Sequence, residues 1–151
     1  MIHPTEPVTH LPLPDLASYF VGPWCIVRRI ADQHSGATGR FKGSATFTPI
    51  PDGLRYDERG TLVHGSFRGE AKQTFWFVIN HLSAVADVRF DDGRPFHTLD
   101  LSSGITNVEH DCGSDRYRGR YRLGGRSSWT LVWEVEGPRK QMLIATRYVR
   151  F

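Results

Sequence analysis

Four polar residues stand where strand alternation calls for apolar ones. His97 shares a face with Leu99 and Leu101, because residues two apart on a strand point the same way. His110 lies with Val108 and Cys112, Glu58 with Leu54 and Tyr56, and Arg28 with Ile26 and Ile30. An unpaired buried charge is costly, so these groups must meet each other or a ligand. Two histidines suit general acid–base work near neutral pH. Glu58 would orient one of them, or act itself with a raised pKa. Arg28 or a tyrosine would stabilise developing negative charge. The plainer use of the same residues is a structural hydrogen-bond network. Metal binding is a competing use, with His97, His110 and Cys112 as ligands. Their spacing matches no standard zinc pattern, so no metal is expected. A lone inward cysteine such as Cys112 is more often a small core residue than a nucleophile.

The elements that must hold these residues are strands. From Trp24 onward the period is two almost everywhere. Trp24, Ile26, Arg28 and Ile30 share one face, and Phe41, Gly43, Ala45 and Phe47 share another. Leu54, Tyr56, Glu58 and Leu62 follow the Pro51-Asp52-Gly53 turn. Residues 72–79 form a continuous β-prone stretch, and Ala84, Ala86, Val88 and Phe90 lead into Asp91-Asp92-Gly93-Arg94. That Asp-Gly turn is a strong short-range hairpin signal. Arg94 is expected to pair across it with Asp91. The chain then alternates through His97, Leu99 and Leu101, then Val108, His110 and Cys112. Two aromatic strands follow, and a strand over 141–151 ends the chain after the Gly137-Pro138-Arg139-Lys140 turn.

This makes about nine or ten strands with short turns. Asp15 is placed to cap one short helix over 16–20, with Leu16, Tyr19 and Phe20 on one side. Residues 1–14 hold four prolines and read as an extended arm before a β-barrel domain over 15–151. The expected fold is all-β, a single antiparallel up-and-down barrel, because closure removes aggregation-prone edges.

The arginine-rich strand sets the inner face. Arg116, Arg118, Arg120 and Arg122 alternate with Tyr117, Gly119 and Tyr121. An odd-length loop around Gly124-Gly125 puts the tyrosines on the side of Trp129, Leu131 and Trp133, and the arginines beside Thr130 and Glu134. The predicted inner wall is then Tyr117, Tyr121, Trp129 and Trp133, with small residues beside them. A barrel of about eight strands or more has room for one small ligand. Bases could not stack beside the outward arginines, since the aromatics point the other way, so no nucleic acid is expected.

Composition bounds the rest. The chain has 151 residues, 39% hydrophobic and 23% charged, ordinary for a soluble globular protein. Its net charge of +3 comes mostly from arginine and mildly favours an anionic ligand. Cys25 and Cys112 form no CxxC pair, so a disulfide framework is not expected. No apolar run reaches the ~20 residues of a membrane helix, and no signal segment opens the chain. A cytoplasmic protein without membrane attachment or cofactor is expected.

Gly22-Pro23-Trp24, after a short helix and opening the first strand, resembles the Gly-x-Trp start of lipocalin-like (calycin) barrels. That resemblance implies a tryptophan closing one end beneath a ligand cavity. A broader set resembles a family of bacterial and fungal single-domain proteins catalogued as a domain of unknown function. It comprises Phe41-x-Gly43-x-Ala45-x-Phe47, Tyr56-x-Glu58-x-Gly60, Phe90-Asp91-Asp92-Gly93-Arg94-Pro95-Phe96-His97, His110-x-Cys112-x-x-Asp115-x-Tyr117 and Trp133-x-Val135-x-Gly137-Pro138-x-Lys140. The match spans roughly residues 16–151 and implies no activity. The leading expectation is a barrel that binds one small aromatic or anionic molecule. Arg28, Tyr56, Tyr117, Tyr121, Trp129 and Trp133 would bind it. The alternative is a cofactor-free isomerase, cyclase or hydrolase with His97, His110 and Glu58 as catalytic groups.

Overall fold

The computed structural model describes residues 15–80 and 83–151. The arm expected over 1–14 lies outside them. Asp15 caps α1 (Leu16–Phe20), its carboxylate accepting from the Ser18 amide and hydroxyl. A helix this short cannot hold itself in water. It is held by burying Leu16, Tyr19 and Phe20 under one end of a sheet.

That sheet has ten antiparallel strands. They are β1 (Gly22–Asp32), β2 (Thr38–Ile50), β3 (Gly53–His64), β4 (Phe67–Ile79), β5 (Val85–Phe90), β6 (Pro95–Asp100), β7 (Ile105–Cys112), β8 (Asp115–Leu123), β9 (Ser128–Gly137) and β10 (Lys140–Arg150). The order is β6-β5-β4-β3-β2-β1-β10-β9-β8-β7, so each strand pairs with its chain neighbour and β1 pairs with β10. The ends of the sheet, β6 and β7, meet without a backbone ladder among the described residues. The barrel is therefore nearly closed, with one side-chain seam.

The expected register at the aromatic hairpin holds. Tyr121 faces Leu131 and Leu123 faces Trp129, which keeps Tyr117 and Tyr121 inside. Gly119 sits beneath the Trp133 ring, where an added Cβ would lie 2.7 Å from it. At the other hairpin, Phe90 and Arg94 bracket a three-residue loop with Gly93 at φ 89°. The conformation there suits glycine. Arg94 pairs with Asp92 at 2.7 Å rather than with Asp91, because the Asp92 carboxylate also accepts the Arg94 backbone N–H at 3.0 Å and is held beside it.

One end of the barrel is plugged. Trp24 is fully buried, and its indole N–H donates to Phe20 O at 2.9 Å. The Arg150 guanidinium covers the Trp24 ring at 4.1 Å and donates to the carbonyls of Tyr19, Val21 and Arg126. Phe20 packs edge-on against Trp129 at 4.9 Å, joining helix to barrel floor. Among the described residues, no helix is long and apolar enough to cross a membrane.

Candidate functional site

Above the floor lies an internal cavity of about 330 Å³. Two aromatic stacks bound it. In the first, Trp129 lies 3.7 Å from Tyr148 and nearly parallel to it, with Tyr121 on the other side of Trp129 at 6.0 Å. In the second, Phe96 lies between Phe75 at 5.4 Å and Trp133 at 5.3 Å. Phe75 comes from β4, Phe96 from β6 and Trp133 from β9, so this second stack forms a chord across the seam side of the barrel.

The main polar group of the cavity is built on β1, β3 and β10, while Lys72 and Gln73 of β4 and Tyr117 of β8 add further polar groups to its lining. Arg28 donates to both Glu58 oxygens, at 2.7 and 2.9 Å, and through Nε to Thr146 Oγ1 at 2.8 Å. Arg28 and Thr146 are direct cross-strand partners, so that contact follows from register. Glu58 is two strands away, across β2. Gly43 and Ala45 are the small inward residues of β2 that leave the path clear. Arg29, next in sequence, is exposed on the outer face.

Two phenols complete the group. Tyr56 OH donates to Glu58 Oε1 and lies 2.9 Å from Tyr148 OH. Burial pushes the Tyr148 phenol up to about 12 and Tyr56 well above its usual value, so both are neutral donors. Burial opposes the charge on Arg28, but the hydrogen bonds to Glu58 and the negative charge around it outweigh that, and its pKa rises. The cluster is thus a neutralised ion pair with satisfied tyrosines, and not a free cation.

The histidines belong to a different place. His97 is buried, with Nε2 3.1 Å from Tyr121 OH and Nδ1 without a hydrogen-bond partner. Burial, and then the nearby His110, pulls its pKa down to about 4. His110 Nδ1 lies 2.9 Å from Phe96 O, and since a carbonyl only accepts, the ring nitrogen donates. Both contacts run from the β5–β6 side to the β7–β8 side and close the seam. Neither histidine lines the cavity. Phe96 stands against both, with ring centroids 4.7 Å from His97 and 5.1 Å from His110.

Phe96 reaches this position through a bulge. Val88 pairs with His97 but Arg89 pairs with Pro95, which leaves Phe96 as an extra residue. A bulge lets two successive side chains escape strict alternation. Phe96 therefore lines the cavity although alternation from His97 assigns it to the outside.

Of the residues singled out in the sequence, Arg28, Tyr56, Glu58, Tyr117, Tyr121, Trp129 and Trp133 all line the cavity. Glu58 does not meet His97 or His110; its hydrogen-bond partners are Arg28 and Tyr56. Cys112 is exposed, and the described residues contain no cluster of three groups able to hold a metal. Sequence reasoning passed over Thr146, Tyr148, Phe75 and Phe96. The first two were visible as the period-two series Ile144, Thr146, Tyr148. Phe96 carried no local signal, because a bulge breaks the pattern that would have found it.

The fold is a lipocalin-like one: a nearly closed up-and-down barrel, plugged by a short helix and a buried tryptophan, around an internal cavity. The chain belongs to the family of unknown function DUF6314, whose model matches residues 20–150. No curated protein matches it. Among solved structures, the S-type phycobiliprotein lyase CPES of Guillardia theta is similar with a TM-score of 0.64, at 6% identity over 89% of each chain. A protein of unknown function from the DUF3598 family of Nostoc punctiforme is similar with a TM-score of 0.65, at 12% identity over 97% of this chain. The present chain spans about half (52%) of that protein's length. At such identities the likeness is one of fold alone.

Proposed function

We propose that the barrel binds one small, planar, uncharged aromatic molecule in its internal cavity. The observation that carries this is the cavity of about 330 Å³ between two aromatic stacks, with the hydrogen-bonded Arg28–Glu58 group on one wall and the unpartnered Trp129 indole N–H among the other polar groups of its lining. Small-molecule sites have this character: mostly apolar and aromatic, with a few placed polar groups. Tyr117, Tyr121, Trp129 and Trp133 supply the flat surfaces. Arg28 has donors left over after its three bonds to Glu58 and Thr146, and these fix the ligand's polar edge. The neutral ligand is preferred at the Arg28 wall, because Glu58 already neutralises Arg28 there; the exposed Lys72 of the lining is the remaining cation an anion could meet. Acid–base catalysis by His97 and His110 is the weaker reading, because neither histidine lines the cavity and both pack behind residues that do.

Isothermal titration with 2-naphthol and 2-naphthoate tests this. The expected result is saturable binding of 2-naphthol, weaker binding of the carboxylate, and loss of both when Trp133 is replaced by alanine. Tighter binding of 2-naphthoate would overturn the preference for a neutral ligand. No binding of either would overturn the cavity reading.

A further inference from the structure

The outer face of the barrel carries a feature that the cavity does not use. Cross-strand register lines up residues from β8 to β3 in two adjacent rows. One row runs Arg120, Val132, Ala145, Arg29, Arg40, Val63. The next runs Arg122, Thr130, Arg147, Val27, Lys42, Thr61. Six cations stand in these two rows and no acid does. Arg29, Arg40, Lys42, Arg120 and Arg147 are exposed, and Arg122 is half-buried. Among the described residues, none of the six forms an ion pair.

Arg29 and Arg40 lie directly opposite each other on β1 and β2. Like charges in that position destabilise a sheet. They flank a shallow outer groove whose other walls include the small residues Ala31, Ala37, Gly39 and Ala145. Acids border the belt at Glu70, opposite Thr61, and at Glu134, two residues from Val132 on β9, and the densest acidic stretch lies elsewhere: residues 85–115, from β5 to the start of β8, hold seven of the sixteen Asp and Glu against two arginines. The charge is therefore unevenly spread over the surface, with the cations concentrated in the two rows.

We infer that this basic belt is a docking surface for an acidic polypeptide segment. From Arg120 to Arg40 the belt crosses four strand spacings, about 19 Å at about 4.8 Å each, the length of about six extended residues. The arginine forks match carboxylates in bidentate geometry. Val27, Val132 and Ala145 lie between the cations, with Val63 at the end of the first row, and offer apolar contact without any aromatic platform. Single-stranded nucleic acid would need such a platform for its bases. The aromatics of the belt's strands point into the barrel instead, so a peptide fits better than a nucleic acid.

Fluorescence anisotropy with labelled poly-L-glutamate and with a dT oligomer of equal charge tests the inference. Poly-L-glutamate should bind, more tightly than the oligomer and less tightly as salt rises. Arg29→Glu/Arg40→Glu should weaken it by about tenfold or more, while Arg126→Glu/Arg139→Glu, with the same change of net charge outside the belt, should weaken it by about threefold or less. Equal losses in the two variants would overturn the belt as a site. Tighter binding of the oligomer would overturn the peptide in favour of nucleic acid, and absence of binding would overturn the surface altogether. Binding of 2-naphthol, or an unchanged unfolding transition, shows that each variant is folded.

Discussion

Two buried polar regions share this barrel and are built on opposite terms. On β1, β3 and β10, Arg28, Glu58, Tyr56, Tyr148 and Thr146 form a network with its charges matched and its phenols engaged. At the seam, His97 and His110 each make one hydrogen bond across a missing ladder, and His97 keeps one ring nitrogen unpartnered. The first region opens on the cavity. The second lies behind lining residues, Phe96 foremost, which touches both histidines, with Tyr121, Trp133 and Tyr117 beside it. A polar group inside a barrel is therefore not by that fact part of its site; it can also be doing the work of absent backbone hydrogen bonds.

The largest break in this comparison comes from Glu58→Leu. Removing one partner leaves the Arg28 charge buried and uncompensated, and stability should fall by about 4 kcal/mol in urea unfolding. The double variant Arg28→Met/Glu58→Leu should recover most of that loss, since replacing a whole buried pair by apolar groups is often close to neutral. If the double variant is no more stable than the single one, the pair is not an isolated unit.

The seam should reveal itself through pH. His97 has a folded pKa of about 4, below its unfolded value of 6.5. Between these values the unfolded chain binds more protons, so stability rises with pH. The contribution is fully present above pH 6.5 and is lost as pH falls to about 4, by up to about 3 kcal/mol. Urea midpoints measured over this window should fall with acid in the wild type. His97→Gln should flatten that slope, and an unchanged slope would mean that another group carries it.

A smaller effect sharpens the boundary between the regions. Phe96→Ala should cost about 2 kcal/mol, because the ring is only half-buried and its loss enlarges a space that already exists. It should also join the cavity to the histidines. Binding of 2-naphthol should then become pH-dependent between pH 4 and 6.5, which it is not expected to be in the wild type. Binding that stays independent of pH would place the chord somewhere other than Phe96.

Much of this molecule was legible in the chain. Alternation assigned Arg28 inward and Arg29 outward, and it set Tyr117 and Tyr121 beside the tryptophans. The Asp15 cap, the Asp91-Asp92-Gly93 turn and the two-residue turn at Pro138-Arg139 are local, and local chemistry is what neighbouring residues can specify. The candidate site was legible as a set of inward residues but not as an arrangement. Glu58 was grouped with His97 and His110, yet it lies with Arg28 and Tyr56.

What the sequence determined by itself was which side of each strand a residue occupies, because a period of two is a property of single strands. What the tertiary structure decided was which inward residues meet. The small residues of β2 let Arg28 reach Glu58, and closure without a ladder between β6 and β7 gave the seam to the histidines. One extra residue at the β6 bulge turned Phe96 inward and separated the two regions. Distances across a barrel depend on its closure and on such register shifts, which pair residues far apart in the chain and leave no trace in the local pattern.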